Sequence, residues 1–128
     1  MTEAAVRLSL WLAFPFNLLA AAILAFPSSQ LGQLMGLPAS VSPLYSAMVA
    51  FFIALFGCAY AWLARLPDID RPMLGLGAIG KSGAFLIAFS LWLSGAVSGL
   101  VVVVAVGDLV FACVWLGWLR ASGGARVA

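Results

Sequence analysis

The sequence contains no histidine and few charged residues. Its 128 residues include six Lys or Arg and four Asp or Glu, so only 8% are charged and the formal net charge is +2. Without histidine the chain lacks the commonest acid–base catalyst and the commonest metal ligand. Because the basic residues are scattered singly, it also lacks the electrostatic footprint of a nucleic-acid-binding protein. We therefore expect no nucleic-acid partner.

Cysteine is scarce as well. Cys58 and Cys113 each lie in an apolar run, without CxxC spacing and without a third ligand nearby in the sequence. A zinc site or a thiol-redox centre needs such neighbours. We expect both thiols to be buried and inert, and we predict no metal site, no cofactor and no catalytic residue.

Apolar residues dominate what is present. They make up 66% of the chain, and the mean hydropathy is +1.20. A helix of about 20 apolar residues crosses the hydrocarbon core of a bilayer, and an unpaired strand there would leave its backbone unsatisfied. The sequence predicts an all-α membrane protein, a four-transmembrane-helix bundle in one domain over residues 1–128. The predicted spans are about 7–26, 44–63, 73–93 and 100–119. The first span could also be a secretory signal, although Ala-Phe-Pro at 25–27 is a poor cleavage site.

The distribution of arginines predicts the orientation. Basic residues are retained on the cytoplasmic side of a membrane, whereas the loops 27–43 and 94–99 contain no charge. Five arginines flank the opposite face of the four-span arrangement: Arg7, Arg65, Arg71, Arg120 and Arg126. We expect both termini on the cytoplasmic side, in a bacterial inner membrane. Trp62, Trp115 and Trp118 lie near the same face and are predicted to form an interfacial aromatic belt.

Two further patterns concern packing. Between the first two spans, leucine and methionine recur at helical spacing after two serines that can cap a helix, which predicts a short interfacial amphipathic helix over about 28–37. Small residues that are mostly three or four apart predict faces where helices approach closely in lipid. They are Ala47, Ala50, Ala54, Gly57 and Ala61 in the second span, and Gly75, Gly77, Gly80 and Gly83 in the third.

Lys81 and Asp108 are the two charged residues that lie in the predicted spans away from their ends. A charge in hydrocarbon costs at least about 2.5–3.5 kcal/mol on insertion scales, so such residues face the bundle interior and find partners. At about 1.5 Å per residue, Lys81 lies about 12 Å, and Asp108 about 17 Å, from the cytoplasmic end of its span. Asn17 in the first span lies at nearly the same level. The sequence therefore predicts a buried polar site of Lys81, Asp108 and Asn17.

This polar site has several interpretations. Lys81 and Asp108 can form an ion pair that only fixes the helix register, with Asn17 satisfying the remaining hydrogen bonds. Alternatively the three residues, together with Ser82 and Ser90, line a cavity for a proton, an ion or a polar head group. The leading hypothesis is a non-catalytic bundle whose site binds or passes a small polar species. The alternative is an accessory or assembly subunit of a larger membrane complex or homo-oligomer, and an enzyme is the least favoured class.

Four short motifs extend over most of the chain. They are FNLLAAAILAFP at 16–27, LMGLP at 34–38, GLGAIGKSG at 75–83 and GDLVF at 107–111. In order and spacing the chain resembles a group of uncharacterised bacterial four-helix membrane proteins, similar to the DoxX-like families. The resemblance implies a four-helix fold with polar residues at positions 17, 81 and 108, and it implies no activity.

Overall fold

The computed structural model describes residues 2–123, and these residues are mainly helical. The helices are α1 (Glu3–Ala25), α2 (Gln30–Leu34), α3 (Pro43–Arg65), α4 (Arg71–Leu93) and α5 (Gly99–Gly123). By length and composition α1, α3, α4 and α5 can each cross a membrane. The prediction of an all-α chain with four membrane-spanning helices is thereby confirmed at this level. Arg126, one of the arginines used to predict orientation, lies outside the described residues.

Local signals explain where α4 begins and ends. The Asp70 carboxylate accepts a hydrogen bond of 2.8 Å from the backbone N–H of Met73, which satisfies one of the free donors at the helix start. Pro72 occupies the first turn, where its missing N–H has no consequence. At the other end Gly95 has a φ of +76°, a left-handed conformation that glycine adopts without strain.

The long helices pack as two antiparallel pairs, α1 with α3 and α4 with α5. In the first pair the Arg7 guanidinium, on α1, reaches the end of α3. It donates hydrogen bonds to the carbonyl oxygens of Ala64 at 2.9 Å, Leu66 at 2.7 Å and Pro67 at 2.7 Å. The last carbonyls of a helix have no partner within it, so the guanidinium satisfies carbonyl oxygens at the end of α3 and links α1 to α3 there.

The second pair is closed in the same way. Arg71 at the start of α4 donates to the carbonyl oxygen of Leu119 at 2.7 Å and to the Ser122 hydroxyl near the end of α5. Arg7 and Arg71 therefore lie at the same end of the bundle, with Arg65 and Arg120. We call it the arginine end, and the opposite end, which carries α2 and the α4–α5 hairpin, the loop end.

At the loop end, α2 is bonded to the α4–α5 hairpin. The Ser29 hydroxyl caps α2 by accepting from the backbone N–H of Gly32 at 3.2 Å. Ser98, in the loop between α4 and α5, donates two hydrogen bonds to this segment. Its backbone N–H donates to the carbonyl oxygen of Met35, just after α2, at 3.2 Å, and its hydroxyl donates to the carbonyl oxygen of Leu34, the last residue of α2, at 3.1 Å. A short helix thus forms within the predicted 28–37 segment, and its position at the membrane interface stays a prediction.

The main hydrophobic core fills the arginine-end half of the bundle. Its buried side chains come from all four long helices and from Ile69 in the loop before α4: Val6, Leu10, Ala13, Tyr60, Leu63, Ala64, Leu74, Ala78 and Trp115. Trp115 is 0% exposed, and its indole N–H donates to the Ser9 hydroxyl at 2.8 Å. The expectation that Trp115 belongs to an interfacial belt was therefore wrong, because α5 turns this side chain inward.

Only some of the small residues lie at close contacts. A Cβ on Gly77 would lie 2.9 Å from the Tyr60 ring, whereas a Cβ on Gly80 or Gly83 would meet nothing within 4 Å. The predicted glycine-rich packing face of α4 is thus confirmed at Gly77 and wrong at Gly80 and Gly83. Cys58 and Cys113 are exposed on the outer surface of the bundle, which corrects the expectation that both thiols are buried.

Gly57 is a point of close approach between α3 and α1, and it gives a test of the first helix pair. A Cβ there would lie 2.9 Å from Asn17 Cβ and 3.3 Å from the carbonyl oxygen of Phe14. Gly57→Ala is expected to lower the free energy of unfolding in detergent by about 1–3 kcal/mol, because the helices must separate. Gly83→Ala is the control and should stabilise the protein by up to about 1 kcal/mol through helix propensity. Equal effects of the two substitutions would contradict this packing.

Candidate functional site

Three polar side chains from three helices meet inside the bundle. The Lys81 ammonium on α4 donates to Asp108 Oδ1 on α5 and to Asn17 Oδ1 on α1, each at 2.5 Å. The Asn17 amide nitrogen in turn donates to the carbonyl oxygen of Ile53 on α3 at 3.0 Å. The predicted Lys81–Asp108 contact is confirmed, and all four long helices are connected through it. We call these three residues the polar trio.

Aromatic rings surround the ammonium on its remaining sides. The Nζ atom of Lys81 lies 4.8 Å from the ring centre of Phe16, 5.3 Å from that of Phe111 and 5.6 Å from that of Tyr60. The faces of such rings attract a cation. Lys81 is only 4% exposed, so its charge is compensated by one carboxylate, one amide and three rings rather than by water. Sequence reasoning missed these aromatic residues, because it could not determine which faces of α1, α3 and α5 point inward.

Two polar side chains, Tyr60 next to the trio and Asp108 within it, retain unused hydrogen-bonding capacity. Tyr60 is 4% exposed, and its hydroxyl forms no hydrogen bond within residues 2–123. The Asp108 side chain is 17% exposed, and its bond to the described residues uses Oδ1 alone. Both residues line a cavity, and within residues 2–123 neither the Tyr60 hydroxyl nor Asp108 Oδ2 has a hydrogen-bond partner.

The cavity extends from the polar trio toward the loop end and has a volume of about 470 Å³. Pockets of about 300–1,000 Å³ are typical of small-molecule sites. Apart from the trio and Tyr60, its lining is apolar or glycine: Phe16, Leu19, Ala20, Ile23, Leu24, Met35, Leu37, Phe52, Ile53, Phe56, Gly80, Ala84, Ala88, Val101, Val104 and Ala105. Met35 and Leu37, which follow α2, line it at the loop end. The arrangement suits a largely apolar molecule with one polar group.

A layer of alanines makes room for this cavity. Ala20, Ala84 and Ala105 each lie three residues from a member of the polar trio, always on the side toward the loop end. Residues three apart on a helix share a face, so the small side chains lie directly beside the polar ones. The sequence contains this signal, an alanine three residues from each member of the polar trio.

The structure does not bring every predicted residue to this cavity. Ser82 follows Lys81 in sequence and is half-buried, and Ser90 is exposed and donates to the carbonyl oxygen of Leu86 at 2.7 Å. Neither serine lines the cavity. The expectation that Ser82 and Ser90 belong to the site was therefore wrong, since a helix turns about 100° per residue and few positions near Lys81 can share its face.

Comparisons of the chain with protein-family models, with curated proteins and with solved structures found no match. The resemblance to the DoxX-like group stays a prediction.

Proposed function

We propose that this chain is a small multi-pass protein of the bacterial inner membrane that binds a small, largely apolar molecule in the cavity above Lys81, Asp108 and Asn17, without catalysis of its own. The observation that carries the proposal is the position of the polar trio. The buried ion pair lies at the floor of a cavity of about 470 Å³. A pair that only fixed the helix register would need no such space beside it.

The packing of the bundle favours binding over passage. Apart from Tyr60 at the cavity floor, the main hydrophobic core lies between the polar trio and the arginine end, and its largest member, Trp115, is fully buried. Protein interiors are packed about as densely as organic crystals, with few voids larger than a water molecule. The cavity therefore ends at the trio, and a transported ion or solute would have no route through the second half of the bundle.

The proposed orientation rests on the arginine end. Arg7, Arg65, Arg71 and Arg120 lie there, whereas the loop end carries no charged residue between 27 and 43 or between 94 and 99. The positive-inside rule favours a cytoplasmic arginine end with both termini. The cavity then lies in the outer half of the membrane.

Native mass spectrometry of the purified protein tests the proposal. The parent protein, released from detergent micelles, should retain a small molecule, and Ala20→Phe should lose most of this bound fraction because the ring fills the cavity. Ala22→Phe is the matched control, since Ala22 lies on the exposed face of the same helix. It should retain the molecule as the parent does.

Two outcomes would contradict the proposal. One is an absence of bound molecules from the parent protein, and the other is equal retention by both phenylalanine variants. If Ala20→Phe does not fold, Ala84→Phe fills the same cavity from α4. A parent protein that carries no small molecule but purifies with a partner protein would favour the alternative of an accessory or assembly subunit.

A further inference from the structure

The floor and the sides of the cavity differ in ways that define a class of ligand and a route to it. We infer that the cavity takes an uncharged, membrane-soluble amphiphile with a hydroxyl head group, which enters sideways from the bilayer between α3 and α4. This inference rests on the proposed binding function. It adds the chemistry of the head group and the path by which the ligand arrives.

The charge of the site excludes a charged head group. Lys81 and Asp108 compensate each other at 2.5 Å, and Asn17 and three aromatic rings complete the surroundings of the ammonium. The pair is therefore neutral as a whole. A carboxylate or an ammonium on the ligand would add an unpaired charge to an apolar cavity, which is unfavourable without a partner of its own.

The two groups without hydrogen-bond partners at the cavity floor favour a ligand that carries a hydroxyl group. The Tyr60 hydroxyl can donate a hydrogen bond, and the second carboxylate oxygen of Asp108 can only accept one. A single hydroxyl on the ligand can accept from Tyr60 and donate to Asp108. An ether or a ketone can only accept, so it would leave Oδ2 of Asp108 without a partner.

The sides of the cavity open between α3 and α4. These helices meet at Tyr60 and Gly77, where a Cβ on the glycine would lie 2.9 Å from the tyrosine ring. One turn closer to the loop end, Phe56 on α3 and Gly80 on α4 both line the cavity and both are exposed. A Cβ on Gly80 would meet nothing within 4 Å. We call this gap the α3–α4 window.

The opposite side of the bundle is closed at the level of the polar trio. There the Phe16 ring on α1 packs against α5, and a Cβ on Gly107 would lie 2.8 Å from it. The loop end is covered by Met35, which is buried and bonded through its carbonyl to Ser98 at 3.2 Å. At the level of the polar trio, the α3–α4 window therefore opens the cavity toward the hydrocarbon of the bilayer, where a membrane-soluble amphiphile resides.

Photo-cross-linking in lipid vesicles tests the head-group class. Three probes with the same diazirine-bearing alkyl chain end in a hydroxyl, a carboxylate or a quaternary ammonium. The hydroxyl probe should label cavity residues such as Phe52 and Ala84 about tenfold more than either charged probe, as expected for hydrogen bonds that the others cannot make. Tyr60→Phe should remove most of this preference, whereas Tyr45→Phe, at an exposed position outside the cavity, should preserve it.

Two phenylalanine variants on α4 test the window. Gly80→Phe should block the gap and strongly reduce labelling of the cavity by the hydroxyl probe. Gly83→Phe is the matched control, because a Cβ at Gly83 also meets nothing within 4 Å although this glycine does not line the cavity. It should be labelled as the parent is.

The outcomes separate this inference from the proposed function. Cavity labelling that is equal for the three probes, or unchanged by Tyr60→Phe, would overturn the hydroxyl class. Labelling unaffected by Gly80→Phe would overturn access through the window. If none of the probes labels the cavity while native mass spectrometry still shows a retained molecule that Ala20→Phe removes, the binding function stands and the ligand class is wrong.

Discussion

Replacing Asp108 with leucine is expected to lower the free energy of unfolding by about 3–5 kcal/mol. The substitution leaves the Lys81 ammonium, which is 4% exposed, with Asn17 and aromatic rings but no countercharge. Lys81→Met should be strongly destabilising for the complementary reason, since the carboxylate then loses its cation. Unfolding of the purified protein in mixed detergent micelles measures both changes.

The double variant tests whether the stabilising effects of Lys81 and Asp108 depend on each other. With Lys81→Met and Asp108→Leu together, no unpaired charge remains, and the stability should return to nearly that of the parent protein. Asp68→Leu serves as a control, because Asp68 is exposed in the loop between α3 and α4 and should tolerate the change. Additive losses in the double variant would show that the two charges are not coupled, which would contradict the compensated pair on which the neutral cavity depends.

Those parts of the structure that depend on depth in the membrane could be predicted from the sequence. Hydrocarbon tolerates only segments whose backbone bonds are internal, so four apolar segments had to be helices. Counting residues from the ends of the spans placed Lys81, Asp108 and Asn17 at similar depths. Because charges in lipid require partners, this depth was enough to predict the contact that the structure shows.

Those parts that depend on rotation about the helix axes could not be predicted. Trp115 and Trp118 are three residues apart, yet Trp115 is buried and Trp118 is half-buried beneath Arg71, whose Cζ lies 5.5 Å from the ring centre. Apolar residues surround both, and in lipid the outer face is as apolar as the inner one. Hydropathy therefore does not distinguish the two faces, and the expectations for Ser82, Cys58 and Trp115 failed for this reason.

The pairing of α1 with α3 was also beyond the sequence. The short hairpin between α4 and α5 makes these helices neighbours, whereas α1 and α3 are separated by α2 and its flanking loops. Their packing depends on specific contacts, such as Gly57 against Asn17 and Arg7 across the end of α3. The two pairs pack through the buried core on the arginine-end side of the polar trio, and the cavity lies on the other side of it.

Trp115→Ala is expected to lower the free energy of unfolding by about 3–5 kcal/mol, the range typical of large aromatic residues in a packed core. The side chain is 0% exposed, and the substitution also removes the hydrogen bond of its indole N–H to Ser9. Trp62→Ala makes the same chemical change at a side chain that is 69% exposed and should have little effect on unfolding. Similar losses for both variants would contradict the packed core at the arginine end.

The same variant should also weaken ligand retention. The Tyr60 and Trp115 rings lie 4.9 Å apart between their centres, so Trp115 supports the tyrosine that contributes to the cavity floor. Without that ring, Tyr60 can move into the vacated space and withdraw its hydroxyl from the cavity. Native mass spectrometry at a temperature where Trp115→Ala remains folded should therefore show less bound molecule than in Trp62→Ala. Full retention would mean that the cavity holds its ligand without a fixed Tyr60, and recognition would then rest on the polar trio alone.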